Sequence, residues 1–411
     1  MKSTLHILLT LTLAFAATSM QAQQDGFQKK KLIKDLKVYQ KAENFAKMDE
    51  EIRKAMNKYP AAKNDAEVAN YELNAQFGLM QQESRKIYLN SKPDTAKYFA
   101  RILDVYAYGL MTDSLDRLPN QKGEVKQQYS SNISTKLSST RGNLRSGGKY
   151  FYKNRKYDEA YKYFDMYLTT IGNQLIMPTE RPVTPPIDAD SVEISRLAVL
   201  SAYSAQNYPG VVRHLTLALT DTTNHQRLME AGAKSYELTG DTTRYMETLL
   251  QAFDLYPQNE YFYATLINIY SKDNDYKSSL GVVNRLIEVD AQNRKYWYLK
   301  GKMHQTQRQL DEAITAYQHA VEINPDDVES YASLGNIYIE QANAFYKTAN
   351  LKLGAQDYEK NRKQLNEYYQ NARHALENCR RIAPDDKSYW QSGLREVYFK
   401  LNMGKELKSV E

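Results

Sequence analysis

Residues of matching character return every 34 positions in the C-terminal half of the chain. Pro257, Ala291 and Pro325 form one series, Tyr236, Tyr270, His304 and Tyr338 a second, and Trp297 and Tyr331 a third. A fixed period of this length marks a supersecondary unit copied along the chain, not one closed core. Unit starts at Gln226, Glu260, Arg294 and Val328 bring every series into one register. Within a unit, positions 4, 7, 8 and 11 share one face of a first helix at 3.6 residues per turn. A small residue at position 8 lets a second helix approach, and the proline at position 32 ends that second helix. No such pair buries its apolar face alone, so each unit depends on its neighbours. The expected fold is all-α.

The unit at 294–327 carries Trp297, Gly301, Ala313, Tyr317, Ala320 and Pro325 at positions 4, 8, 20, 24, 27 and 32. The next unit supplies Tyr331, Leu334, Gly335 and Tyr338. In this spacing the sequence resembles the tetratricopeptide repeat (TPR) family, whose pattern is W-x2-L-G-x2-Y, then A-x3-F, then A and P. The resemblance implies a TPR-type superhelical solenoid of antiparallel helix pairs. Weaker copies occupy 192–225 (Tyr203, Val211, Leu215, Ala218), 141–172 (Leu144, Gly148, Phe151, Ala160, Phe164, Tyr167) and 29–62 (Leu36, Tyr39, Ala55, Pro60). Residues 64–115 read as a longer helical pair and 117–139 as a polar loop. After Tyr338 the second-helix signature returns only at Ala372, Leu376, Cys379 and Pro384, 25 residues late. That delay predicts one hairpin with both helices lengthened. A C-terminal capping helix, 388–401, is expected to turn Trp390, Leu394, Val397 and Tyr398 inward.

The N-terminus has a different character. Met1-Lys2 precedes an apolar run from Leu5 to Ala17, and small or polar residues follow to Ala22. This is the layout of a secretory signal peptide, with cleavage after Ala22 or Ser19. The run is too short to span a bilayer, and no other stretch is long enough. The segment holds no cysteine, so no lipid anchor is expected, and the single Cys379 forms no internal disulfide. The expected organisation is a signal peptide 1–22, an N-terminal helical region 23–171, a linker 172–191, a repeat array 192–386 and a cap 387–411. The linker holds Pro178, Pro182, Pro185 and Pro186, which forbid helix. The expected location is the periplasm, with the extracellular space as the alternative. A net charge of +6 spread among interleaved acids gives no basic stripe, so nucleic acid is not an expected partner. The 34 tyrosines, against 11 Phe and 2 Trp, suit thin helix layers whose rims are wet.

No catalytic or metal-binding spacing is present among the six histidines, and no cofactor is expected. Gly147-Gly148-Lys149 lacks the strand, the leading glycine and the Ser or Thr of a phosphate loop. Cys379 sits at a small-residue position of a second helix and reads as an inert buried thiol. The family resemblance implies that positions 2, 5, 9 and 12 of the first helices line a concave groove. The residues so placed and chosen as candidates are Arg227 and Lys234, then Tyr261 and Asn268, then Lys295, Tyr298, Lys302 and Gln305, and finally Asn336. Such a face suits an extended peptide or helix of a protein partner. The expected function is a non-enzymatic adaptor of the cell envelope. Two alternatives are a glycan-binding protein associated with the outer membrane and a polysaccharide-active enzyme on a helical toroid. The second needs a closed ring, whereas this period suits an open superhelix.

Overall fold

The structure is a computed structural model that describes residues 27–92, 94–119, 123–176 and 189–410. The expected signal peptide 1–22 and most of the linker 172–191 lie outside the described residues. Among the described residues there are helices and turns and no strands. The chain packs as two compact units that divide after Asp241.

The first unit runs α1 (Lys29–Lys41), α2 (Phe45–Lys58), the short α3 (Pro60–Lys63), α4 (Ala66–Tyr88) and α5 (Thr95–Asp116). It continues through α6 (Ser130–Lys153), α7 (Tyr157–Thr169), α8 (Ala189–Ser204), α9 (Tyr208–Ala218) and α10 (His225–Thr239). The second unit opens with α11 (Thr242–Leu255) and then pairs α12 (Glu260–Lys272) with α13 (Tyr276–Val289). Next come α14 (Arg294–Thr306) with α15 (Leu310–Ile323), and α16 (Val328–Thr348) with α17 (Tyr358–Ile382). It ends with α18 (Gln391–Lys400) and the five-residue α19 (Gly404–Lys408).

The first helices α12, α14 and α16 begin on Glu260, Arg294 and Val328, the residues where the period set the unit starts. Asn259 and Asn293 cap α12 and α14 by accepting the amides of Tyr261 and Lys295, donors that a bare helix end would leave unpaired. At the turn to the second helix, position 15 is left-handed in every regular unit. Glu43, Arg155, Gln206, Gly240, Asn274 and Arg308 all have φ between 51° and 81°. The following amide then reaches back to the carbonyl at position 11, as in Asp275 to Tyr270 (2.8 Å) and Gln309 to His304 (3.0 Å). This closure satisfies carbonyls at the end of the first helix.

The same turn recurs at the C-terminus. Asn402 has φ 56° and Met403 donates to Tyr398 at 2.8 Å. The cap is therefore a further first helix, α18, with α19 as the stub of its partner. Trp390, Leu394, Val397 and Tyr398 are buried there as expected.

Position 8 meets position 24 in the packed interior. A Cβ on Gly301 would stand 2.6 Å from the Tyr317 ring, and one on Gly335 would stand 2.6 Å from Leu376. Tyr317 and Leu376 are fully buried, worth roughly 2–3 kcal/mol each. Leu376 arrives 25 residues late yet meets Gly335 in register. The insertion therefore lengthens both helices, 21 and 25 residues in α16 and α17 against 13 and 14 in α14 and α15.

Two expectations are corrected. Residues 130–139, read as polar loop, belong to α6. Ile133, Leu137, Thr140 and Leu144 are buried at helical spacing. The many hydroxyls fold back on their own helix, Thr135 to Ser131 O (2.9 Å) and Thr140 to Lys136 O (2.8 Å), which hides the helix from a polarity reading. In the 192–225 unit the interior residue at position 11 is Ala202, fully buried, while Tyr203 is 38% exposed. Tyr203 is one residue out of register. Cys379 is buried, its thiol 3.6 Å from the Val328 carbonyl, and burial pushes its pKa up to about 12.

Candidate protein-interaction surface

The first helices of the second unit carry most of the candidate residues, and neighbouring helices hold several of them. At position 2, Lys295 on α14 donates to Glu260 on α12 at 2.7 Å, and that hydrogen bond raises its pKa. Arg294, one residue earlier, reaches forward to Asp327 (2.8 Å) and Glu329 (2.9 Å) at the start of α16. These pairs link three successive first helices at their N-terminal ends. The pairs with Glu260 and Glu329 are partly exposed and worth about 0.2–1 kcal/mol each, whereas Asp327 is buried. Sequence reasoning missed Arg294 as a partner because its acids are 33 and 35 residues away. One period plus or minus one residue is the spacing that could have revealed it.

At position 5, Tyr298 is half-buried and packs into the cluster of Tyr317, Leu334 and Ile337, its ring 5.7 Å from that of Tyr317. Burial raises its pKa. At position 12, Gln305 accepts the Tyr317 hydroxyl at 2.8 Å. Tyr261 at position 2 of α12 is likewise half-buried. These side chains serve the fold as much as any ligand.

Position 9 is different. Asn268 on α12, Lys302 on α14 and Asn336 on α16 are all exposed, one per repeat at a spacing of 34. Lys302 stands with its ammonium 5.7 Å from the Tyr298 ring, a helical i, i+4 neighbour. No side-chain hydrogen bond occupies Asn268 or Asn336 among the described residues. The three form a row of donors and acceptors on a rigid helical support.

In the first unit, α10 carries the other two candidates. Arg227 is exposed, and Lys234 pairs with Glu237 at 2.7 Å on its own helix. Among the described residues no cluster of His, Cys, Asp and Glu could hold a metal ion, and no helix is long and apolar enough to cross a membrane.

Residues 306–341 match the family model described as TPR repeat. Protein O-mannosyl-transferase TMTC1 of Homo sapiens is 28% identical over 97 residues, which are 21% of this chain and 11% of that protein. The chain thus spans about a tenth of that relative's length. Among solved structures, the C-terminal part of a TPR repeat-containing protein from Cytophaga hutchinsonii has a TM-score of 0.39 at 14% identity, covering 65% of this chain and 92% of that one. A TPR repeats protein from Bacteroides fragilis has 0.31 at 15%, covering 63% and 98%. MamA from Desulfovibrio magneticus has 0.28 at 16%, covering 44% and 96%. Residues 306–341, matched to the TPR repeat, thus lie within an all-α array of successive helix pairs in which the 34-residue pattern recurs.

Proposed function

We propose that this chain is a non-catalytic adaptor exported to the cell envelope, where the first helices of its second unit capture an extended segment of a protein partner. The observation that carries the reading is the position-9 row of Asn268, Lys302 and Asn336, exposed while their neighbours are engaged. Amide and ammonium groups repeated once per helix suit a polypeptide, whose backbone offers acceptors and donors at regular intervals. Export rests on the apolar run from Leu5 to Ala17 and the small residues that follow it. The periplasm is the compartment this reading assigns.

The test places a photo-crosslinking amino acid at Lys302 in one strain and at the exposed Lys277 of α13 in another. Capture of a discrete envelope protein from position 302, absent from position 277, is expected. Replacing Asn268, Lys302 and Asn336 together with alanine is expected to weaken that partner about tenfold or more while leaving the melting temperature within a few degrees. Equal capture at both positions, or an unchanged affinity in the triple variant, defeats the groove reading.

A further inference from the structure

A second, separate cluster lies in the first unit, where α4 faces α6. Asn132 on α6 donates through Nδ2 to Asn70 Oδ1 (2.7 Å) and Asn74 Oδ1 (3.1 Å) on α4. Its own Oδ1 accepts from the Lys136 ammonium one turn along. Below that ammonium lies the Phe77 ring, 5.1 Å away. A lysine can only donate, so Asn132 must turn its oxygen to Lys136 and its amide nitrogen to α4. Asn70 and Asn74 must then turn their oxygens toward Asn132. Their two Nδ2 groups and the remaining Lys136 protons have no acceptor among the described residues. The groups in the cluster left with no partner at all are thus donors, and one is a cation, while each amide oxygen already accepts one bond.

The cation is not neutralised. Lys136 is half-buried, and no carboxylate of the described residues lies within ion-pair distance. Desolvation lowers its pKa, as expected for a charge left without a counterion. Glu67, Asn70, Asn74 and Phe77 fall on one stripe of α4. At the Glu67 end, a cleft of about 490 Å³ is lined by Lys29, Lys30, Ile33, Lys34 and Lys37 of α1 together with Glu67. Glu67, the acid on that stripe, is engaged by Lys29 at 3.2 Å.

We propose that Asn70, Asn74, Asn132 and Lys136 form an anion site that takes a side-chain carboxylate from an acidic segment of a partner protein. The carboxylate brings acceptor lone pairs and a negative charge, which suit the amide donors and the ammonium that lack partners there. The site is independent of the position-9 row, so either can fail alone.

The test uses the full chain and a fluorescein-labelled Gly/Ser peptide with alternating glutamates, alongside the same peptide with glutamines. The glutamate peptide is expected to bind about tenfold more tightly, the scale of one charge-assisted hydrogen bond, and to weaken with added salt. Lys136→Met keeps the stem over Phe77 and is expected to erase the difference without lowering the melting temperature. Asn132→Asp, nearly isosteric, sets an internal carboxylate against the ammonium and is expected to erase it as well. Changing Asn268, Lys302 and Asn336 to alanine is expected to leave it intact. Equal binding of the two peptides by the wild-type chain overturns the proposal. So does a glutamate preference that survives both Lys136→Met and Asn132→Asp. Displacement of the peptide by inorganic phosphate at far lower concentration than by acetate would assign the site to phosphate instead and also overturn it.

Discussion

Glu72 on α4 is a carboxyl placed beyond the reach of water. Its Oε1 accepts from Gln76 at 2.7 Å, Gln76 also donates to Asp49 on α2 at 3.0 Å, and Arg101 of α5 reaches Gln76 at 2.7 Å. Arg53 of α2, paired with Asp49, stands 3.8 Å from Glu72, while Glu72 Oε2 has no hydrogen-bond partner. Burial first, and Asp49 second, hold the Glu72 pKa well above the ordinary carboxylate value. The neutral acid is thus the form that fits the fold. Its contribution is complete below the unfolded-chain pKa and is lost as pH rises through the folded one. Glu72→Gln imitates the protonated carboxyl at every pH. The variant is expected to be more stable than wild type by about 1–2 kcal/mol at pH 8, with the gap closing near pH 5. Denaturant midpoints across that range check this, and parallel pH profiles would refute it.

At the scale of the element, the hairpin turn repeats in backbone geometry without repeating in residue type. Position 15 holds Glu43, Arg155, Gln206, Gly240, Asn274 and Arg308, all left-handed and only one of them glycine. A side chain costs roughly 1 kcal/mol in that conformation. Arg308→Gly is therefore expected to stabilise the second unit by about 0.5–1 kcal/mol and raise its melting temperature, although Arg308 also pairs with exposed Glu340 at 2.8 Å. A lower melting temperature would show that the turn is not strained. This turn also explains what the sequence could and could not reveal. Positions 8 and 24 repeat legibly because Gly301 must be small for Tyr317 to fit. Position 15 carries no such demand on size, so its recurrence is invisible in the letters. The start of α6 escaped for another reason, since its Ser and Thr hydroxyls bond within the helix and leave its polarity looking like that of a loop. For the candidate surface, register alone located Asn268, Lys302 and Asn336. It could not show that Lys295 and Gln305 are engaged, because Glu260 and Tyr317 come from other helices.

Across the whole molecule, interior clusters are local in sequence, one formed by α1, α2, α4 and α5 and another by α16 through α19. Stability in such an array is approximately a sum of units and the interfaces between neighbours. Deleting 388–411 removes Trp390, Leu394, Val397 and Tyr398 and uncovers Leu376 and Cys379. Hydrogen exchange is expected to quicken in α16 and α17 while α4 and α5 keep their protection, and light scattering is expected to show concentration-dependent association. A uniform loss of protection along the chain would contradict additive stacking.

The lengthened hairpin has one more implication. Gly335 and Leu376 anchor its base, while Leu353, near its far end, is 86% exposed. Residues gained or lost at that free tip change its reach without altering any buried interface, whereas a bulkier residue at 335 would push the two helices apart. Length is therefore the property this hairpin is free to vary over generations, and it can do so without consulting the rest of the array.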